Sequence, residues 1–299
     1  MSWNTSKKKF EEYLRLERAL SPNSISAYLS DISKFIQFMN LEYPNLNAEK
    51  VNHDHLQHFL EHLNESGSSI RTQARTLSGI KSFFNLLKVE ELLKVNPATD
   101  ITIRNVERNV PEILTIAEID ALIAAVNLKS AEGERNVAML ETLYSCGLRV
   151  SELINLKITD LFFNQGFIEV SGKGEKKRLV PISDVCKNKI TAYIQNSRKH
   201  IKIKPSYQNY LFLNRRGSSL SRVMIFTIVK GLAEQIGLKK SVSPHTFRHS
   251  FATHLIAGGA DLRVVQDMLG HESILTTEIY LQIDPQQLKE SVSLYHPQS

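Results

Sequence analysis

Two histidines and an arginine lie close together in the stretch SPHTFRHSFATH, residues 243–254. His245 and His249 are four residues apart, a spacing that places two imidazoles on one helix face and is typical of zinc sites. A zinc hydrolase helix carries a glutamate directly after the first histidine as its general base, but Thr246 stands there. Arg248 lies between the histidines, and a fixed cation beside a divalent metal is unfavourable. We therefore expect no metal here.

The same helix start is well suited to an anion. Ser243 can cap the helix and Pro244 can occupy its first turn, where free backbone N–H groups and the helix dipole favour a phosphate. His245 and Arg248, three residues apart, point in one direction. An imidazole and a guanidinium that converge at a helix N-terminus can hold the non-bridging oxygens of a phosphodiester. The other two of the three histidines in this stretch, His249 and His254, are expected to be structural.

Four residues elsewhere have chemistry that suits a phosphodiester, although each is weak alone. Arg149, in GLRVSEL, stands at a helix start and could be a second phosphate ligand. Lys173, in a glycine-flanked turn, could donate a proton to a leaving oxygen or contact a DNA backbone. His271 follows a glycine that stops a helix, and Tyr280 lies nine residues later.

The first hundred residues have the pattern of amphipathic helices. Apolar residues recur at intervals of three and four after Ser21-Pro22 and after Ser69, and shorter helices fit 6–20 and 54–63. The Asn-Pro pair at 96–97 ends this pattern, which predicts an interdomain linker after it.

A second domain is indicated after the linker. Thr115 and Glu118 have the spacing of a capping box, and a further helix fits 136–146. Two short β-rich runs flank the glycines around 172–174 and predict a hairpin. From residue 220 onward the pattern is helical again. Together with the N-terminal helices, this predicts a mainly α protein with a small sheet.

Positive charge is concentrated in one segment. The chain has a net charge of +6, yet residues 171–222 hold thirteen basic residues against two acidic ones, a local net charge of +11. This segregation favours a polyanion, nucleic acid above all, while composition alone leaves an anionic membrane surface open. The chain has no apolar run of the ~20 residues that a membrane span needs, and it begins without a signal peptide, so we expect a cytoplasmic protein. Cys146 and Cys186 are expected to be incidental or buried thiols.

Together these motifs resemble the tyrosine site-specific recombinases of the phage integrase family, of the Xer type. The resemblance rests on GLRVSEL, GKGEKKRLVP, the long segment from SPHTFRHSF to ILTTEIY, and ERALSPNSISAYLSDISKFIQF near the start. It runs in order over nearly the whole chain. AGGADLRVVQ and LSRVMIFTIVKGLAEQIGL favour the XerD branch over the XerC branch. Directly after Tyr280, Leu281-Gln282 replaces the common Thr-His of the family.

The resemblance implies two domains and a linker. A four-helix SAM-like core-binding domain is expected over 1–91, a linker over 92–111, and a tyrosine recombinase catalytic domain over 112–293. The catalytic domain is expected to be mixed α/β, mostly helical, with a small antiparallel sheet. Its last helix, 285–295, has few sequence neighbours that could bury its apolar side, and is expected to dock on the next protomer of a tetramer.

The resemblance also implies a catalytic set, namely Arg149, Lys173, His245, Arg248, His271 and Tyr280. The tyrosine would attack the scissile phosphate and form a covalent 3′-phosphotyrosyl link, releasing a 5′-hydroxyl. The two arginines would neutralise the transition state, with a hydrogen bond from His271. The lysine would protonate the leaving oxygen, and His245 would handle the proton of the nucleophile. Bond energy is conserved, so no ATP is needed, and because the two arginines and the lysine do what divalent metals do in many phosphoryl-transfer enzymes, no metal or other cofactor is expected.

Further DNA contacts are expected from basic residues outside this set: Arg71, Arg75, Lys176, Arg178, Arg215, Arg216 and Arg222. The expected partners are a double-stranded recombination site, a related recombinase in a homo- or hetero-tetramer on paired sites, and a DNA translocase as activator, without a membrane. The expected role is the resolution of chromosome dimers at segregation. The alternatives are a mobile-element recombinase, a non-catalytic architectural DNA-binding protein, a metallohydrolase and a type IB topoisomerase.

Overall fold

A computed structural model describes residues 2–18, 20–103, 112–172, 176–270 and 285–297. Contacts divide the chain into two units, Met1–Asn109 and Val110–Ser299. We describe each unit separately.

The first unit is a bundle of four helices. In chain order they are α1 Trp3–Leu16, α2 Pro22–Glu42, α3 His53–Glu65 and α4 Ile70–Val89, with a 3₁₀ turn at Ala48–Lys50. Each begins at a polar cap whose side chain accepts a backbone N–H of the first turn: Ser2, Ser21, Asn52 and Ser69. Aromatic side chains fill the centre, and Phe35 meets Phe59 edge to face at 5.1 Å between ring centroids. The four predicted helices are confirmed.

One ion pair with a buried carboxylate links two helices of this bundle. Asp31 of α2 is buried and accepts hydrogen bonds from both terminal nitrogens of Arg75 on α4, at 2.7 and 2.8 Å. Thr76 adds a third bond at 3.3 Å. A bidentate pair with one carboxylate hidden from water fixes the crossing of α2 and α4. Two terminal donors of Arg75, expected to contact DNA, are therefore engaged inside the unit, while half of the side chain stays exposed.

The second unit is mostly helical, with one small sheet. Its helices are α5 Ile116–Ala124, α6 Gly133–Ser145, α7 Val150–Asn155, α8 Asp184–Gln195, α9 Arg222–Gln235, α10 Pro244–Gly258, α11 Leu262–Leu269 and α12 Pro285–Tyr295, and its strands are β1 Leu161–Phe162, β2 Phe167–Ser171 and β3 Lys177–Pro181. The strands pair antiparallel in the order β1-β2-β3, with Val170 opposite Arg178 and Ser171 opposite Lys177. This confirms the predicted mainly α fold with a small antiparallel sheet and a hairpin over β2 and β3.

Helix α6 forms the centre of the second unit. All of its residues from Val137 to Ser145 are buried, and the core continues around it through α5, α8, α10 and the sheet. Cys146 and Cys186 lie in this core as free, buried thiols, as expected from their spacing. Among the described residues no helix is both long and apolar enough to cross a bilayer.

The last helix packs on its own unit. Leu288 and Val292 of α12 are buried in the core of the second unit, and α12 contacts α10, α11 and β3. Tyr295 covers the glycine pair at the end of α10, because a Cβ on Gly258 would lie 2.8 Å from its carbonyl oxygen. The expectation that this helix lacks a surface to bury its apolar side is therefore wrong for the single chain. Docking on a neighbouring protomer stays a prediction.

A buried histidine anchors the end of this helix. The His296 ring is 3% exposed and lies 4.8 Å from the Tyr144 ring and 5.7 Å from Phe251, between centroids. It also hydrogen-bonds the backbone of Tyr144. Burial, and then the nearby His254, lower the pKa of His296 to about 4 from the usual 6.5. The docked helix thus holds a neutral imidazole.

We expect acid to weaken this docking. Because the pKa of His296 is lower in the folded chain, the folded chain binds fewer protons between pH 6.5 and 4, and the His296 contribution is complete above 6.5 and lost as the pH falls to 4. The loss is about 3 kcal/mol, at about 1.4 kcal/mol for each pKa unit. Urea unfolding of the second unit, followed from pH 4 to 7.5, should show a shallower pH dependence for His296→Gln.

The matched control is His200→Gln, which changes an exposed histidine of the same unit. Its pH dependence should follow that of the unaltered chain. Parallel curves for His296→Gln and the unaltered chain would show that the ring is not held neutral.

Candidate active site

Arg149 is held at a tight connection between two helices. Helix α6 ends at Ser145 with Cys146 as its C-cap, and Arg149 is the N-cap of α7 with an extended backbone. Its backbone N–H and its Nη1 both donate to the Glu152 carboxylate at 2.8 Å, and its Nη2 donates to the Gly270 carbonyl at 3.1 Å. The side chain stays 39% exposed. Arg149 is therefore fixed in direction while its guanidinium remains accessible.

Gly147 makes this connection possible. Its φ is +57°, a left-handed conformation that favours glycine, and a Cβ at this position would lie 2.4 Å from the ring of Phe251 on α10. The chain thus passes directly against α10. This close approach brings the Gly147 carbonyl within 2.7 Å of Arg248 Nη1, although the two residues are 101 positions apart in sequence.

Arg248 lies deep in the same site. Ser243 caps α10 and Pro244 occupies its first turn, as predicted, so Arg248 points from the first helical turns towards α7. Its Nη2 donates to the Leu269 carbonyl at 2.6 Å, and its side chain is 5% exposed. Burial and then the positive charge of Arg149 lower the pKa of Arg248 to about 10, so it remains a cation at neutral pH.

A buried carboxylate, Glu152, balances these cations. It accepts two hydrogen bonds from Arg149 and two more from Arg178, at 2.9 Å each, and lies 3.8 Å from Arg248. Burial opposes its ionisation, but the bonds from Arg178 and then Arg149 outweigh burial, so the pKa of Glu152 lies below its usual value. Our sequence analysis assigned no role to Glu152. Its position three residues after Arg149, at the start of a helix, was the available signal.

The three histidines of α10 lie in different environments. His245, in the first turn of α10 and three residues before Arg248, is exposed, whereas His249 is half-buried. His254 hydrogen-bonds the hydroxyl of Tyr144 at 2.8 Å, and burial lowers its pKa. The described residues contain no group of three or more His, Cys, Asp or Glu side chains arranged to hold a metal ion.

Three expected catalytic residues, Lys173, His271 and Tyr280, lie outside the described residues. The residues that directly precede Lys173 and His271 are described, and both lie beside arginines of the site. Gly270, which precedes His271, ends α11 and accepts the bond from Arg149. Gly172, which precedes Lys173, lies beside Arg178.

The expected DNA-contacting residues lie in different environments. Five are exposed, namely Arg71, Lys176, Arg215, Arg216 and Arg222. Arg75 is half exposed and bound to Asp31. Arg178 is directed into the site and is only 15% exposed. Within the basic segment, Arg198 is also buried and donates to the carbonyls of Gln208, Tyr210 and Leu211, so part of the local charge serves the fold.

Two family models match the chain. Residues 112–287 match the phage integrase family, and residues 8–91 match the phage integrase N-terminal SAM-like domain. The chain is 39% identical over 290 residues to the tyrosine recombinase XerD of Oceanobacillus iheyensis, which covers 97% of each chain. It is 40% identical over 298 residues to the tyrosine recombinase XerD of Chlorobaculum tepidum, covering 99% of this chain and 97% of that one.

Solved structures share the fold. A Tn1549 transposon integrase in complex with transposon right end DNA is similar with a TM-score of 0.76 and 19% identity, over 99% of this chain and 95% of that one. The XerH recombinase bound to palindromic difH substrate, in a post-cleavage complex, gives a TM-score of 0.69 and 24% identity, over 97% and 84%.

We expect Gly147→Ala to destabilise the second unit and to disturb the position of Arg248. The substitution introduces a Cβ at a positive φ and against Phe251, so it should destabilise the second unit by about 2–4 kcal/mol and displace the carbonyl that holds Arg248. Urea unfolding measures the loss. The matched control is Gly231→Ala within α9, where a Cβ meets nothing within 4 Å and should stabilise the helix by about 0.5–1 kcal/mol. Equal stability of the two variants would contradict this account.

Proposed function

Since the chain belongs to the phage integrase family of tyrosine recombinases, we propose that it is a site-specific recombinase of the Xer type that cuts and rejoins DNA through a covalent 3′-phosphotyrosyl intermediate. The observation that carries the proposal is the convergence of Arg149 and Arg248 at one buried carboxylate, from helices far apart in sequence. The described bonds use two of the five N–H donors of each guanidinium. The remaining N–H donors can bind the oxygens of a phosphate.

The proposed reaction needs only groups of the chain and the DNA. The Tyr280 hydroxyl attacks the scissile phosphorus, its proton passes to His245, and the bond between phosphorus and the 5′-oxygen breaks. Lys173 supplies the proton that the leaving 5′-oxygen takes up. The 5′-hydroxyl of another strand then attacks the phosphotyrosyl bond and restores the diester.

Preorganised positive charge accounts for the acceleration of this step. A pentavalent phosphorane-like transition state carries more negative charge on its non-bridging oxygens than the diester does. Arg149 and Arg248 are fixed by hydrogen bonds before DNA arrives, so little reorganisation is needed. Their charges do what divalent metals do in many phosphoryl-transfer enzymes. His271 adds a hydrogen bond in the same reaction.

The relatives favour a chromosomal role over a mobile element. Full-length relatives at 39% and 40% identity are named XerD, whereas the transposon integrase shares only 19% identity. We therefore propose a protein that acts in the cytoplasm to resolve chromosome dimers at segregation, as a tetramer with itself or a related recombinase on paired sites, activated by a DNA translocase. In that tetramer α12 would leave its own unit, where Leu288 and Val292 are buried, and dock on a neighbour.

Covalent capture tests the reaction. In cells that express the unaltered chain, protein–DNA complexes that survive denaturation should form, and sequencing the attached DNA should reveal one recurrent site. On a nicked duplex carrying that site, adduct should form in EDTA and be lost in Tyr280→Phe. Tyr207→Phe, a half-buried tyrosine of the same unit, should keep it.

Other results would favour other functions. No adduct with the unaltered chain would leave an architectural DNA-binding protein, and dependence on a divalent metal would favour a metallohydrolase. Relaxation of supercoiled DNA without paired sites would favour a type IB topoisomerase.

A further inference from the structure

The last two carbonyls of α11 and that of its cap residue Gly270 each accept a hydrogen bond from a different arginine. The pairs are Arg178 Nε to Met268 at 2.8 Å, Arg248 Nη2 to Leu269 at 2.6 Å and Arg149 Nη2 to Gly270 at 3.1 Å. The C-terminal carbonyls of a helix carry partial negative charge and lack partners within the helix, which makes them good acceptors for cations. Two of the three arginines belong to the expected catalytic set, whereas Arg178 does not.

Arg178 is bound on every guanidinium nitrogen. In addition to the bond to Met268, its Nη1 and Nη2 donate to the two oxygens of Glu152 at 2.9 Å each. Its guanidinium group packs closely against Gly270, because a Cβ on Gly270 would lie 3.2 Å from Nη1. Only 15% of the side chain is exposed. These contacts engage three of its five N–H donors inside the unit.

Arg178 lies on β3, the strand that directly follows the turn containing Lys173. Arg178 pairs with Val170 in the β2–β3 hairpin, and one further pair, Ser171 with Lys177, precedes the turn. Each strand residue adds about 3.3 Å of length, so the anchored arginine lies only a short distance along the strand from the turn. A side chain fixed at this point restricts where the tip of the hairpin can go.

We propose that Arg178 is a positioning residue that holds the hairpin carrying Lys173 against Glu152 and the end of α11, from which the segment with His271 and Tyr280 departs. The proposal rests on the proposed function, because it takes Lys173 as the proton donor. Arg178 connects the hairpin, α7 and α11 through one planar group. Without it, the hairpin would keep its apolar core contacts but lose the three hydrogen bonds that join it to Glu152 and Met268.

The geometry requires arginine at this position. A guanidinium binds both oxygens of a carboxylate and keeps Nε for a third acceptor in the same plane. A lysine supplies the same charge as a single point and cannot hold Glu152 and Met268 in this arrangement. Arg178→Lys thus separates the charge at this site from its geometry.

The alternative is that Arg178 contacts DNA, as the charge of its segment predicted. Loss of a phosphate contact weakens binding and lowers the slope of affinity against salt by about 1, with cleavage of bound DNA retained. Loss of positioning has the opposite signature. DNA binding persists, and the chemical step slows.

The experiment compares Arg178→Lys and Arg178→Gln with Arg216→Gln, which removes an exposed arginine of the same basic segment. The probe is the nicked duplex carrying the mapped site. For each variant we would measure the Kd at several salt concentrations and the single-turnover rate of adduct formation at saturating DNA. The rate is also measured on the same duplex with sulfur in place of the 5′-bridging oxygen, because a thiolate leaves without taking up a proton.

Both Arg178 variants should slow adduct formation by about 10²-fold while the Kd stays within about threefold, since displacement of a reacting group by about 1 Å costs that much. The sulfur substrate should restore most of this loss. Arg149→Lys should show no such recovery, because sulfur at the leaving position does not change the charge on the non-bridging oxygens. Arg216→Gln should raise the Kd, as expected for loss of a phosphate contact.

Several results would overturn the proposal. One is an unchanged rate of adduct formation in the Arg178 variants, and another is a slow rate that the sulfur substrate does not restore. A raised Kd with normal cleavage would also overturn it, as would loss of the urea unfolding transition in both Arg178 variants. The last would make Arg178 a folding residue. Failure of the proposed function is distinct, because the unaltered chain would then form no adduct.

Discussion

The site depends on one buried negative charge. Three guanidinium groups lie around Glu152, and their mutual repulsion in a poorly hydrated environment would be unfavourable without a carboxylate among them. The pKa values reflect this balance, because burial and the neighbouring arginines lower the pKa of Arg248 while Glu152 opposes that change. Three guanidinium groups against one carboxylate leave a net charge of +2, which the partial negative charge of the carbonyls at the end of α11 offsets only in part. A phosphodiester fits the remaining positive charge.

The surrounding fold meets the geometric demands of this charge cluster. Gly147 lets the α6–α7 connection pass against Phe251, which places Arg149 beside Arg248. Helix α11 ends towards the arginines, so its dipole adds to the negative charge of Glu152. These features come from segments far apart in sequence, and none of them alone would make a phosphate site.

Much of this arrangement could be predicted from local patterns, and the remainder could not. The caps at Ser21, Ser69 and Ser243 are visible as residue types at helix starts, because capping depends only on a few adjacent positions. The hairpin followed from β-rich runs around glycines. Arg178 was predicted to face DNA because charge was the only available signal. Its inward direction depends on Glu152 and Met268, which are distant in sequence and close only in the folded chain.

The two helices that flank the proposed nucleophile, Tyr280, are held by different physical means. Residues 271–284 connect α11, whose last carbonyls are bound by arginines, to α12, which is held by buried apolar contacts and a neutral histidine. The first anchor is electrostatic, and it involves the same guanidinium groups that a phosphate would bind. The second is hydrophobic, and in the proposed tetramer it would transfer to an equivalent surface on another copy of the chain. Under the proposed function, DNA and a neighbouring protomer would each act on one end of the same segment, which would link cleavage to assembly.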